Sequence, residues 1–465
     1  MQRVFNGFSL KHTENSTTKY RVLISLLSII FLLLTFYSAL YSTKLFFPNE
    51  QYKSKLNTLF EKQLIETQVT KRTPTGWLAG SADECLSLGV SSQRPKSFGD
   101  TFLEEYSTQV GTYDPCGGLA LSTGFLTGSY ETVGYARYWH GHAVVTQWMV
   151  LAIGLPNLKN LIWGFNIILI FYLGYILSRR QEKNESALMG IALIGPYFML
   201  TDQAELHNVI THQYVSVVLL LTIIFFVRNF KNSTMFQIRM GAILGSVYCF
   251  LLYGLSPQLL PVAMLSWAGI FLISNQFSIH FVLKKVVLFL FSWVFGYLTT
   301  FVAKWVIVAL MTNYPIWNDV KNQLIYRSSQ NSDNLSNGVG IHLQFAKDLP
   351  SFIQSWIANF SSFLIHILDP RYSSLILIYL LAAICIVLFL FLIYLFKTRW
   401  FVDWPLPRDL LCLNSMSLLF LLLWYAVLAQ HSYDHATYTF RSIPIWIGGL
   451  MTSLLILFKR PNLKS

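Results

Sequence analysis

The chain has 465 residues, 54% hydrophobic and 16% aromatic, with only 12% charged and a formal net charge of +12. Soluble domains carry about 25% charged residues, so this composition excludes an ordinary soluble protein. The basic excess does not call for nucleic acid either, because membrane proteins retain Lys and Arg on their cytoplasmic side.

Taken in order, the sequence opens with a basic segment and an apolar run over 22–41, directly after Lys19 and Arg21. The run is long enough to span, and no small-residue cleavage site follows it, so it reads as an uncleaved first helix. Residues 42–157 then form a large outer segment with turn-like stretches such as Asp114-Pro-Cys-Gly-Gly. Cys85 and Cys116 fall in it and can pair if it faces an oxidising compartment. Cys249, Cys385 and Cys412 sit in apolar runs and read as packing residues. The run Ala143 to Leu155 is too short to span comfortably. It is expected as a re-entrant or interfacial helix on the outer face.

Residues 158–311 are expected to hold spans near 158–178, 186–200, 214–227, 240–255, 257–273 and 286–311. A second outer segment, 312–372, contains the polar tract Ser328 to Asn337. Residues 373–465 supply spans near 373–396, 410–429 and 442–458. The expected fold is therefore an all-α, polytopic bundle of about ten helices with both termini cytoplasmic. Charge supports this layout. It puts Arg3, Lys11, Lys19 and Arg21 inside, then Arg179, Arg180 and Lys183, then Arg228, Lys231 and Arg239. Lys284 and Lys285 follow, then Lys397, Arg399 and Arg408, and finally Lys459, Arg460 and Lys464. The short outer connection 201–213 carries neither Lys nor Arg, which is the positive-inside pattern.

The inner connections are short and basic, and no glycine-rich phosphate loop is present. Any chemistry belongs on the outer face. Asp83 and Glu84 are adjacent carboxylates, a pair in which one pKa can be raised to make a general base; an ordinary solvated loop pair is the plainer alternative. Glu131 is a further candidate base. The run Tyr135 to His142 contains Arg137, which can grip a phosphate bidentately, with Tyr138 and Trp139 as sugar-stacking or interfacial groups. His140 and His142 are weak candidate metal ligands, lacking a third at fixed spacing. Asp202, Glu205, His207 and His212 can bind a divalent cation or serve as solvated caps.

Lys304 lies in an apolar helix about two turns from its outer end. An ionisable residue there is functional by default, with snorkelling to the interface as the rival reading. His431 and His435 would share a helical face, with Asp434 beside them and Arg441 at the start of the last span. This cluster is read as binding a lipid phosphate or taking part in catalysis.

Arg137 to Gly141, Lys304-Trp305 and His431 to Arg441 together resemble recurring marks of a group of bacterial multi-pass membrane proteins. The layout is also similar to that of GT-C glycosyltransferases, including those that modify envelope glycans. That resemblance implies a catalytic acid in the first outer loop, best matched by Asp83 and less well by Glu84. It implies a polyprenyl-phosphate sugar donor and basic phosphate-binding groups at Arg137, Lys304 or Arg441. No Asp-x-Asp motif is present.

The expected function is transfer of a sugar from a polyprenyl-phosphate donor to a glycan or glycolipid acceptor, at the outer face of the inner (cytoplasmic) membrane. The alternatives are a flippase for a lipid-linked saccharide and an O-antigen-type polymerase or ligase. Membrane lipid is an expected partner and nucleic acid is not. A divalent cation is possible, with its ligands unknown.

Overall fold

The computed structural model describes residues 27–28, 30–39, 41–43, 45–65, 67, 79–90, 99–111, 114–178, 210–252, 257–268, 278–328, 349–368, 405–434, 439 and 441–459. The protein is mostly helical. After the apolar helix Ile30–Thr43, the helices among the described residues include α1 (Asn49–Glu61), α2 (Ala79–Gly89), α3 (Pro115–Ser122), α4 (Gly141–Ile153), α5 (Leu155–Ser178), α6 (Ile210–Arg228) and α7 (Thr234–Leu252). They continue with α8 (Leu259–Trp267), α9 (Ile279–Met311), α10 (Ile316–Ser328), α11 (Ser351–Leu368), α12 (Pro405–Val427), α13 (Ala429–Asp434) and α14 (Ser442–Lys459). The mostly helical content agrees with the all-α expectation, and one short ribbon accompanies it. Strands β1 (Tyr106–Gln109) and β2 (Tyr130–Val133) form an antiparallel ribbon, pairing Tyr106 with Val133 and Gln109 with Tyr130.

Four helices of the described residues are long and apolar enough to cross a membrane: Leu155–Ile176, Ile210–Arg228, Thr234–Leu252 and Ile279–Met311. They turn apolar side chains outward. Phe171 of α5 is 71% exposed, and Phe291 of α9 is 72% exposed. An apolar surface that extensive needs lipid or another partner to cover it. The expected spans at 186–200 and 373–396 lie outside the described residues. The expected span 257–273 is represented by the nine-residue α8.

α7 and α9 lie side by side in parallel. Gly241 and Gly245 of α7 and Gly296 of α9 meet the facing backbone so closely that a Cβ at any of them would collide with it or with a buried side chain. Small residues at such spacing let helices approach until backbones touch. Ser246 Oγ also donates to the Gly296 carbonyl at 3.2 Å. α5 and α6 run the opposite way and are joined through a buried Ser216–Asn166 hydrogen bond of 2.9 Å.

One end of this bundle is basic, with Arg228 closing α6, Lys231 and Lys284 close by in sequence, and the Lys285 ammonium on the Asn232 carbonyl. The other end carries a cap built from α1 to α4 and the ribbon. Cys85 and Cys116 are bridged and tie α2 to α3. Asp114-Pro-Cys-Gly-Gly, turn-like in sequence, is a helix start. The Asp114 carboxylate accepts from the Cys116 and Gly117 amides, and proline stands in the first turn, where its missing N–H is harmless. Tyr52 of α1 donates to Leu88 O at 2.9 Å, and Gln147 of α4 donates to Val90 O at 2.6 Å. These bonds seat the cap's helices on one another.

Candidate functional site

The ribbon delivers the chain from β2 into the loop 134–140. Gly134 passes the Tyr314 ring with room for no more than a tight contact, an added Cβ lying 3.0 Å from it. From there the side chains divide. Ala136, Trp139 and His140 turn inward and are essentially sealed from solvent. Arg137 turns toward α10. The Trp139 indole N–H donates to Thr300 O at 2.8 Å, and the Trp305 indole N–H donates to Arg137 O at 2.9 Å. Two indoles thus fasten the loop to α9. At Gly141 the chain enters α4 with Phe250 packed so close that a Cβ would clash.

At the centre is Glu104, fully buried in the short connection before β1. Its φ is +47°, a left-handed conformation that non-glycine residues adopt at a cost of roughly 1–3 kcal/mol. Oε2 accepts from His140 Nδ1 at 3.0 Å and from the Lys304 ammonium. The His140 amide lies 3.4 Å from Oε1. Lys304 is itself fully buried, which removes the snorkelling reading. Its Nζ lies 4.8 Å from the Trp139 ring centroid, a cation–π contact. A buried carboxylate facing an ammonium and an imidazole N–H has the extra hydrogen bonds a buried ion pair needs. The bond to Glu104 assigns the Nδ1–H tautomer to His140, with the Nε2 lone pair as the basic position.

Beside this cluster Arg137 donates to Asp319 of α10 at 2.5 Å. The Tyr314 hydroxyl donates to the other oxygen of Asp319 at 3.0 Å. Burial first, then the neighbouring Asp319 charge, pushes the Tyr314 phenol up to about 12, so it remains a donor at ordinary pH. Arg327, also on α10, donates to the Tyr138 hydroxyl at 2.5 Å. Its guanidinium carbon lies 5.5 Å from the Tyr138 ring centroid, and that of Arg137 lies 5.6 Å from the same centroid.

The other sequence candidates fall elsewhere. Asp83 is on α2, its side chain outside the described set. Glu84 is buried and paired with Lys159 at 2.6 Å. Glu131 is exposed on β2, opposite Thr108. His142 is held by the Leu251 carbonyl at 2.8 Å and Ser87 Oγ at 3.1 Å, so both ring nitrogens are engaged. Arg441 reaches His212 Nδ1 at 2.9 Å. His431 is partly buried on α13, which packs against α10. Asp434 ends α13 with its side chain undescribed, and His435, Asp202, Glu205 and His207 lie outside the described residues.

Arg137, Tyr138, Trp139, His140 and Lys304 are thus brought together, while Glu84, Glu131 and Arg441 are not among them. Glu104, Asp319 and Arg327 were missed by sequence reasoning. Glu104 sits in Phe-Leu-Glu-Glu-Tyr, which has no spacing signal. Asp319 and Arg327 recur at i, i+8 on an amphipathic helix, a signal that was available.

Among the described residues no group of three His, Cys, Asp or Glu side chains could hold a metal ion. The chain matches no protein-family model, no characterised protein and no solved structure.

Proposed function

We propose that this chain is an integral-membrane glycosyltransferase, moving a sugar from a polyprenyl-phosphate donor to an envelope glycan or lipid on the extracytoplasmic face. The observation that carries the reading is the Glu104–His140–Lys304 cluster, with Arg137 three residues before His140 in the same loop, at the capped end of an apolar bundle. An acid–base group beside an anion-binding group is what glycosyl transfer from a phosphate carrier requires. The bridged Cys85 and Cys116 favour an oxidising compartment for the cap. The basic residues at the opposite end favour the cytosol there.

In this scheme His140 Nε2 takes the proton of the acceptor hydroxyl as its oxygen bonds to the anomeric carbon. The bond from that carbon to the phosphate oxygen breaks, and the carrier phosphate leaves with the electron pair, its charge met by Arg137. Glu104 positions the imidazole and stabilises the imidazolium, as the buried acid of a His-based dyad does. Lys304 pairs with the same Glu104 oxygen and holds the carboxylate in place. Because the cluster is sealed, substrate access requires the loop 134–140 to part from α9, a gating step ahead of chemistry. A flippase would need a site near the membrane midplane, whereas Lys304 lies near the capped end of α9. Product length separates single transfer from a polymerase or ligase.

The test is mass spectrometry of surface glycans from cells with the wild-type chain, without it, and with His140→Gln at equal membrane abundance. One sugar increment is expected only with the wild type. Identical glycans in all three would end the reading.

A further inference from the structure

α10 has two unlike faces. Trp317 and Leu324, at i, i+7, are 53% and 58% exposed, and Ile325 next to them is 57% exposed. Leu310 and Met311 at the end of α9 continue the same apolar exposure, at 78% and 46%. That end of α9 is the rim of its outward-facing apolar stripe, so the outer face of α10 belongs to the lipid boundary, as in interfacial helices. Lys321, on that face, can snorkel to the headgroups. The inner face presents Asp319 and Arg327 to Arg137 and Tyr138.

Two guanidinium groups therefore lie against one tyrosine ring, and the single carboxylate pairs with Arg137, which leaves one positive charge over. The Arg137 and Asp319 side chains are 15% and 18% exposed, so the pair sits at the edge of the protein and not in its core. Arg137 Nε is buried with no hydrogen-bond partner among the described residues, an unmet donor that is uncommon in a finished network. That N–H has no acceptor oxygen among the described residues, and phosphate is the group rich in them.

We propose that Arg137 and Arg327 bind the phosphate of a membrane lipid, and that Asp319 holds that place with its carboxylate until the lipid arrives. This deepens the transfer reading, on whose sidedness it rests. The lipid reaches the site laterally, under α10, from the leaflet its apolar face contacts. Phosphate displaces Asp319 from Arg137, takes up the Arg137 Nε–H, and accepts from the Tyr314 hydroxyl that Asp319 releases. Asp319 is then a built-in competitor, which disfavours any anion too weak to replace it.

The experiment is native mass spectrometry of the whole chain in detergent, titrated with a polyprenyl phosphate and, separately, with inorganic phosphate. No sugar transfer is measured, so failure here is distinct from failure of the glycan assay. Wild type is expected to retain the lipid and not the free ion. Arg327→Gln, a partly exposed change that leaves the Glu104 cluster intact, weakens lipid binding about tenfold, the effect of one lost charge-assisted bond. Asp319→Asn tightens it severalfold. Unchanged binding in both variants, or equal retention of inorganic phosphate, would overturn the proposal. Unfolding temperature measured alongside separates lost binding from a collapsed site.

Discussion

Glu104 is where sequence and structure part most sharply. A glutamate in an outer loop reads as solvated, yet it is sealed against Lys304 and His140 with a left-handed backbone. Removing one partner of a buried pair strands the other charge, at about 3–5 kcal/mol. Glu104→Gln and Lys304→Met should each lower stability by about that amount, and the double substitution should recover much of it. Thermal unfolding in detergent measures this, and additive losses would deny the pair. Tyr314 gives a check by pH. Its phenol is raised from 10.0 to about 12 in the fold, so its contribution is complete below pH 10 and is lost as pH rises toward 12. The stability gap between wild type and Tyr314→Phe should close over that window. A constant gap would place the phenol away from Asp319. Arg137 and Lys304 were legible as candidates because arginine and lysine beside apolar runs are costly. Their acidic partners were not, since a contact between residues 104 and 304 leaves no mark in local periodicity.

At the scale of elements, the long helices were readable from apolar length, and the reading of 286–311 was short because α9 continues back to Ile279 past Lys284 and Lys285. The cap was not readable: its strands have four residues each, and its order comes from the Cys85–Cys116 bridge and from hydrogen bonds such as Tyr52 to Leu88. Replacing both bridged cysteines with serine releases a loop of 31 residues in separation and should destabilise the cap by about 2–4 kcal/mol. Limited proteolysis of the 79–122 region follows this, and unchanged protection would mean the bridge adds nothing. Gly245 offers a separate test on the membrane side. Gly245→Leu must push α7 off α9, because the Trp293 carbonyl already occupies that space. Loss of folded protein on size-exclusion chromatography is expected, and normal behaviour would show that the two helices do not pack this way.

For the whole molecule, the arrangement has one polar end and one basic end. Arg137, His140, Lys304, Asp319 and Arg327 gather at the first, with His431 on a helix packed against theirs. Arg228 and Lys285 mark the second. The basic end was legible in the sequence, because loop charge is a local property. Which residues of the polar end meet could not be inferred, because that depends on how α9, α10 and the ribbon pack.

Sidedness is the claim everything functional depends on. Single cysteines at Glu131, exposed on the ribbon, and at Lys284, at the basic end, can be placed in a chain whose Cys249, Cys385 and Cys412 are alanine. A membrane-impermeant maleimide added to intact cells should label the residue-131 cysteine and spare the residue-284 cysteine until the membrane is opened. Labelling in the reverse order would put the Glu104 cluster in the cytosol and contradict the account.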